Sequence, residues 1–150
     1  MSLDASLEPQ SSPGLLLWHL SMAWQSKQRS ALALHDLTHV QFVLLAHLVH
    51  AENAPLSQAE LARRASLDPM MTSQVARALE AKGLVNRASS SSDGRALQVS
   101  ATGEGAQVAN RAVKDVEQVD REFFAPLGGD VGQFSGLAKL LIDALAQGRG

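Results

Sequence analysis

The chain of 150 residues contains no cysteine. This absence excludes a disulfide scaffold, a thiolate metal site, and a cysteine that acts as nucleophile or redox sensor. Long apolar runs are also missing: the longest, Leu15–Trp18 and Phe42–Ala46, are far shorter than the ~18 residues that a membrane-spanning helix needs. The segment 1–13 is rich in Ser and Pro but lacks the basic start of a signal peptide. We therefore expect a cytoplasmic protein with no membrane partner.

Signals of an enzyme or of a bound metal are also missing. No serine has a credible His and Asp partner set, and no Gly-rich loop suits a phosphate. His35 and His39 have a helical spacing, but a predicted helix break at Leu37-Thr38 separates them. His47 and His50 also have such a spacing, but no acidic cluster accompanies them. We expect neither catalysis, nor a metal, nor a cofactor.

The composition nevertheless supports a packed core, since 45% of the residues are hydrophobic. The length suits one domain or two small sub-domains. The formal net charge of −2 argues against a generic polyanion binder. The charge is uneven, however: the stretch 57–99 has six basic and four acidic residues, whereas the rest of the chain has seven and eleven. The middle of the chain is thus the segment with a positive balance.

The first half of the chain predicts four helices. The first runs from Leu15 to about Leu34, where apolar residues recur at helical spacing. The second starts at Thr38, which forms a capping box with Gln41. A third, short helix starts at Ser57 with another capping box, and the fourth begins at Asp68-Pro69, a good N-cap followed by proline at the first helical position.

A hairpin and two more helices complete the predicted order. Gly83 ends the fourth helix as a left-handed residue, and strands follow from Leu84 and over Leu97–Ala101. A long helix over about Gly103–Phe124 comes next, capped by Thr102, and an apolar helix closes the chain. The result is a mainly α fold with a small β-hairpin wing, in the order of a winged helix-turn-helix.

The fourth helix carries the functional signal, because in such a unit it enters the major groove of DNA. Residues at i, i+3, i+4 and i+7 would pack inward: Thr72, Val75, Ala76 and Leu79. The outward residues are then Met70, Ser73, Gln74 and Arg77. Gln can pair with adenine, Arg with guanine or phosphate, Ser with either, and Met with a thymine methyl. An ordinary solvated face is the alternative interpretation.

Phosphate contacts are expected from two places. Pro69 and Met70 lie at the positive end of the fourth helix. Arg87 and Arg95 flank the Ser-rich tip of the hairpin and can reach phosphates or the minor groove. Asp93 can pair with an arginine to hold the shape of the wing; an ordinary surface ion pair, which stabilises little, is the alternative.

These segments together resemble the MarR-type family of transcriptional regulators. The resemblance covers about residues 15–147, and several short pieces carry it in the family's order and spacing. They are Leu37-Thr38-His39-Val40-Gln41-Phe42, Leu56–Ala62, Thr72–Arg87, Asp93-Gly94-Arg95, and Thr102 with Gly105. Two positions depart from the family pattern: Ala101 stands where a leucine is usual, and Gly94 replaces a second basic residue at the wing tip.

The resemblance implies a homodimer on a pseudo-palindromic site of double-stranded DNA. The family pairs through N- and C-terminal helices, here 14–36 and 103–150, around a DNA-binding region over 37–102, with 1–13 as a flexible tail. The apolar terminal helices agree, because a monomer would expose a sizeable patch. The family also implies a small aromatic effector, to which Trp18, His19, Met22 and Phe42 could contribute; core packing is the alternative for these residues.

The sequence thus predicts a dimeric winged helix-turn-helix regulator. We expect it to act as a repressor and a small aromatic ligand to relieve the repression. The rival hypothesis is a winged-helix module that binds proteins and not DNA. The net negative charge and the reduced charge of the wing tip leave that rival open. A steep fall of binding with salt distinguishes the two, because counterion release is typical of nucleic-acid binding.

Overall fold

A computed structural model describes residues 12–52, 54–89 and 97–148 of the chain. The described residues form six α-helices, three short strands and one 3-10 segment. In chain order the helices and strands are α1 (Pro13–Ala33), α2 (His39–His50), β1 (Leu56–Ser57), α3 (Gln58–Ala65), α4 (Pro69–Ala81), β2 (Val85–Ser89), β3 (Leu97–Ala101), α5 (Gly103–Phe124) and α6 (Val131–Gln147). Within these ranges, no helix combines the length and the apolarity needed to cross a bilayer.

Local chemistry explains where most of the helices begin and end. The capping box of α2 is complete, because Thr38 Oγ1 accepts from the Gln41 amide and Gln41 Oε1 accepts from the Thr38 amide, both at 3.1 Å. Asp68 Oδ1 caps α4 by accepting from the Met71 amide at 2.8 Å. Gly83 follows α4 at a φ of +75°, the left-handed conformation that glycine adopts without strain.

The capping box predicted for α3 forms only by half. Ser57 Oγ accepts from the Glu60 amide at 3.0 Å. The Glu60 carboxylate, however, accepts from Arg63 Nε at 2.9 Å and from Arg64 Nε at 2.8 Å. Charge-assisted bonds to two guanidinium groups are stronger than a bond to the neutral Ser57 amide. The predicted bond from the Ser57 amide to the Glu60 side chain is therefore wrong.

The hairpin is part of a three-stranded antiparallel sheet in the order β1-β3-β2. Val99 of β3 lies opposite Arg87 of β2 on one side and opposite Leu56 of β1 on the other. Strand β1 was not predicted, because two residues are too few to show an alternating pattern. It ties the segment before α3 to the strand that precedes α5.

The chain divides into two compact units, the first ending at Val116 and the second starting at Glu117. The first unit encloses a closed core, in which Leu32, Leu44, Leu45 and Leu48 have no exposed surface. The second unit holds the end of α5, a 3-10 segment over Ala125–Asp130, and α6. None of its described residues is buried.

Candidate nucleic-acid interface

The face of α4 predicted to read bases points away from the core. Thr72, Ala76 and Leu79 are at most 1% exposed, and the half-buried Val75 packs against the core, so the predicted inward set is confirmed. On the outward side the side chains differ in exposure: Met70, Gln74 and Arg77 are exposed, whereas Ser73 is half-buried. Helix α4 therefore presents an apolar tip, an amide and a guanidinium group along one side.

The N-terminus of α4 is less open to a phosphate than the sequence indicates. Pro69 has no amide hydrogen, and the Asp68 carboxylate already accepts from the Met71 amide. A negative charge at this position also repels an approaching anion. Pro69 and Met70 are exposed there, and Met70 has 72% of its surface accessible. Contacts through their side chains are thus better supported than an amide site.

Two exposed arginines on α3 were not assigned a role from the sequence. The side chains of Arg63 and Arg64 are 70% and 40% exposed, and both bind Glu60. Their hydrogen bonds hold the pKa of the Glu60 carboxyl at about 2, well below its ordinary value. The positive balance of the stretch 57–99 includes both residues and was the available signal. Each arginine keeps surface that a phosphate could contact beside this shared carboxylate.

The wing begins at Arg87, whose surroundings differ from the expectation. Its side chain is only 15% exposed, and its Nη1 lies 3.4 Å from Glu80 Oε1 of α4. Its Nε is buried and has no hydrogen-bond partner among the described residues. Arg87 thus packs along α4, and a phosphate would have to draw it away from Glu80. The predicted wing residues Asp93 and Arg95 lie outside the described residues.

The backbone between α4 and β2 lies very close to the start of α5. Thr102 Oγ1 donates to the Gly83 carbonyl at 2.8 Å, and the Thr102 amide donates to the Leu84 carbonyl at 3.0 Å. A Cβ atom on Gly105 would lie 2.0 Å from the same Leu84 oxygen. Only glycine allows this approach, so the N-terminus of α5 is fixed against the end of α4.

The four residues expected to bind an effector do not form one site within the first unit. Trp18, His19 and Met22 are exposed on α1, with Trp18 61% accessible. Core packing, the alternative for these residues, describes only Phe42, which is 7% exposed on α2. Phe42 does line a cavity of about 210 Å³ between α2 and α5. The other lining residues are Ala46, Val49, His50, Ala109, Asn110 and Val113.

The histidines are engaged in separate places. His35 Nε2 lies 2.6 Å from Asp115 Oδ2, and the ring of His39 packs edge-on against Trp24 at 5.1 Å between centroids. Burial, together with Arg64 and His50, lowers the pKa of His47. In the described ranges, no group of three or more His, Asp or Glu side chains could hold a metal ion.

Helices α1 and α6 each expose a group of large apolar side chains. On α1, Leu16, Leu17, Trp18, Leu20 and Met22 are all at least 39% accessible. On α6, in the second unit, five apolar residues are 58–66% accessible: Leu137, Leu140, Leu141, Ile142 and Leu145. Apolar surface of this extent is typical of a face that another molecule covers.

Comparisons with known proteins agree with this architecture. The model of the MarR family matches residues 37–97. The uncharacterized HTH-type transcriptional regulator YdcH of Bacillus subtilis is 40% identical over 135 residues, 89% of this chain and 92% of its own. The HTH-type transcriptional repressor Rv2887 of Mycobacterium tuberculosis is 37% identical over 76% of this chain and 81% of its own. The crystal structure of the PcaV regulator from Streptomyces coelicolor with its natural ligand has a TM-score of 0.80 at 25% identity, covering 95% of this chain and 99% of that one.

Proposed function

Because the chain belongs to the MarR family of transcriptional regulators, we propose that it represses transcription as a homodimer bound to a pseudo-palindromic DNA site. Membership in this family also confirms the prediction that the chain is not an enzyme. The observation that carries the proposal is the outward face of α4, where Met70, Gln74 and Arg77 are exposed above a buried inner row. The proposed location is the cytoplasm, where a regulator reaches its DNA.

Each residue of this face has a role in the proposal. Gln74 pairs with an adenine edge, Arg77 with guanine or with a phosphate, and Met70 contacts a thymine methyl. Ser73, which is half-buried, reaches a base or a phosphate at the rim of the contact. Pro69 packs its exposed ring against the DNA backbone at the start of the helix. The region 37–102 is then the DNA-binding part of the chain.

The wing supplies phosphate contacts in the same proposal. Arg95 reaches the backbone or the minor groove, and Asp93 holds the shape of the wing, on the strength of the sequence alone. In this proposal Arg87 leaves Glu80 and binds a phosphate. The distance of 3.4 Å between Arg87 Nη1 and Glu80 Oε1 supports this exchange, because an ion pair of that length is weak.

The proposed dimer covers the exposed apolar residues of the terminal helices, within 14–36 and 103–150. A second copy of the chain offers the same apolar faces, so a two-fold arrangement covers the faces of both copies at the same time. Two recognition helices in such a dimer read half-sites about one turn of DNA apart, roughly 34–36 Å. Repression is proposed as the outcome because the relative Rv2887 is described as a repressor.

A small aromatic effector is the remaining part of the proposal. The cavity between α2 and α5 combines apolar side chains, with Phe42 as its aromatic wall, and polar groups from His50 and Asn110. Its volume of about 210 Å³ is below the ~300 Å³ at which drug-sized pockets begin, which favours a single-ring compound. The PcaV regulator, which resembles this chain in fold, was crystallised with its natural ligand. Such a ligand relieves repression by favouring a dimer whose reading helices are wrongly spaced.

A selection from randomised duplex DNA, followed by titration of the winning duplex at several salt concentrations, tests the function. We expect a two-fold symmetric winner whose affinity falls steeply with salt. Gln74→Ala should relax the preference at one base position, and Arg77→Ala should weaken binding by about 1–3 kcal/mol or lower the salt slope by about 1. Arg111→Ala, on an exposed position of α5, is the charge-matched control and should bind as the wild type does. Absence of any enriched duplex would overturn the proposal and favour a protein partner.

A further inference from the structure

Lys82, directly after α4, is bound to the turn that connects α1 and α2. Its Nζ lies 2.6 Å from the carbonyl oxygen of Asp36 and 3.1 Å from Oε1 of Gln41. Gln41 Oε1 also accepts from the Thr38 amide, so one amide oxygen joins the capping box of α2 to the end of α4. The Lys82 ammonium group therefore links the α1–α2 turn, whose Asp36 lies 46 residues earlier in the chain, to the predicted reading helix.

The turn that receives Lys82 is itself held in an unusual shape. Asp36 has a φ of +54°, a left-handed conformation that is uncommon for residues with a side chain, although aspartate adopts it more readily than most. Leu37 beside it is buried, and the preceding residue, His35, bonds Asp115 of α5 at 2.6 Å. The turn is thus fixed to α5 by one side chain and to α4 by another.

We propose that Lys82 is a positioning residue for DNA recognition: it ties the end of α4 to the α1–α2 turn and so sets the direction of the reading face. The inference rests on the proposed function, since it takes α4 to be the reading helix. Thr102 and Gly105 fix the chain just beyond α4 by close backbone contact. Helix α4 also packs on α2 and α3, and Lys82 adds the polar tie to the α1–α2 turn at the end of the helix, so its loss lets that end tilt about the junction with α5.

The geometry separates this role from a phosphate contact. An ammonium group has three donor hydrogens, and two acceptors of this chain already lie within hydrogen-bond distance of Lys82 Nζ. The side chain is only 33% exposed. The Asp36 carboxylate, 99% exposed and 3.8 Å from Nζ, contributes less than the carbonyl of the same residue, because the distance is long and the group is solvated.

The test compares Lys82→Met with the wild type on two duplexes of equal length, the selected one and a scrambled one. We expect affinity for the selected duplex to fall about tenfold, a loss in the range of one mismatched base pair, because a tilted helix misaligns its base contacts. Affinity for the scrambled duplex and the salt slope should stay unchanged, since no phosphate contact is lost. A purely structural role would lower the thermal midpoint without changing the ratio of the two affinities.

Two control variants sharpen the result. Lys114→Met makes the same change on an exposed position of α5 and should leave both affinities unchanged. Asp36→Asn keeps the carbonyl acceptor and removes only the distant carboxylate, so it should stay within about twofold of the wild type. If Lys82→Met does not fold, Lys82→Gln gives the same comparison, because the shorter neutral side chain loses the tie but keeps a polar end.

Two results would overturn the inference: an unchanged ratio of the two affinities, whether or not both fall, or a salt slope lowered by about 1, which identifies a phosphate contact. The failure of the proposed function looks different. In that case the wild type itself prefers no duplex and Gln74→Ala has no effect. If the wild type and Lys82→Met both prefer the selected duplex to the same degree, only the positioning role is refuted.

Discussion

The two units of the chain bury their leucines to very different degrees. In the first unit, Leu45 of α2 has no exposed surface and lies in a core to which helices and strands both contribute. In the second unit, Leu141 of α6 is 66% exposed, and none of the described residues from Glu117 onward is buried. Both leucines lie in regular helices, so helix formation does not explain the difference.

Apart from the leucines exposed on α1 and directly after it, the first unit buries most of its leucines in its own core, whereas every leucine of α6 is exposed. Burying a leucine side chain stabilises a protein by about 1.5–3 kcal/mol, and α6 leaves several such side chains in water. A second copy of the chain is the partner proposed above.

The largest effect is expected from truncating one leucine in each unit. Leu45→Ala removes a fully buried side chain and should lower the free energy of unfolding by about 2–5 kcal/mol, measured by urea denaturation. Leu141→Ala removes the same atoms from an exposed site, so its effect should depend on protein concentration, because it acts through self-association. A loss at Leu141 that is equally large at every protein concentration would contradict the comparison.

A charge on α6 should separate the copies. Leu141→Lys places an ammonium group on the exposed apolar face and should weaken self-association by about 2–4 kcal/mol, measured by sedimentation velocity. Gln147→Lys adds the same charge six residues on, about 120° around the helix, and should leave the mass unchanged. Equal sedimentation of Leu141→Lys and the wild type at all concentrations would show that α6 is not the contact.

The glycines give a third contrast between the units. Gly105→Ala should cost about 1–3 kcal/mol of unfolding free energy, because its Cβ meets the Leu84 carbonyl at 2.0 Å. Gly136→Ala meets no atom within 4 Å and should stabilise α6 by up to about 1 kcal/mol through helix propensity. Thermal denaturation of both variants checks the signs. Two changes of the same sign would mean that the units are packed alike.

The smallest effect concerns the Glu60 carboxylate of α3, which is 30% exposed. The arginines hold the pKa of Glu60 at about 2, below its ordinary 4.5, so its contribution to stability is present above pH 4.5 and lost as the pH falls toward about 2. The stability difference between the wild type and Glu60→Gln should therefore shrink over that interval. A difference that stays constant with pH would show that Arg63 and Arg64 do not stabilise the charged form.

Much of the DNA-binding fold follows from local signals. The caps Thr38 and Asp68, the left-handed Gly83 and the span of α5 agree with expectation, because a few neighbouring residues decide each of them. The inner row of α4 follows from helical periodicity in the same way. These are features in which sequence distance and spatial distance coincide.

The features that were missed depend on contacts distant in sequence or on competition between partners. Strand β1 exists through its pairing with β3, which no local pattern shows. Glu60 had a capping role by position, but two arginines compete for its carboxylate. Arg87 was expected to be free for phosphate, whereas the fold brings it beside Glu80. Neither the tie between Lys82 and the α1–α2 turn nor the exposure of Trp18 can be read from spacing alone.

Whether a second copy covers α6 is tested most directly by the mass of the complex between the chain and its selected duplex, measured by sedimentation equilibrium for the wild type and for Leu141→Lys. We expect two chains per duplex for the wild type. For Leu141→Lys we expect markedly weaker binding, because single chains lose the second half-site. One wild-type chain per duplex, or Leu141→Lys bound as tightly as the wild type, would contradict the claim that a second copy completes the open unit.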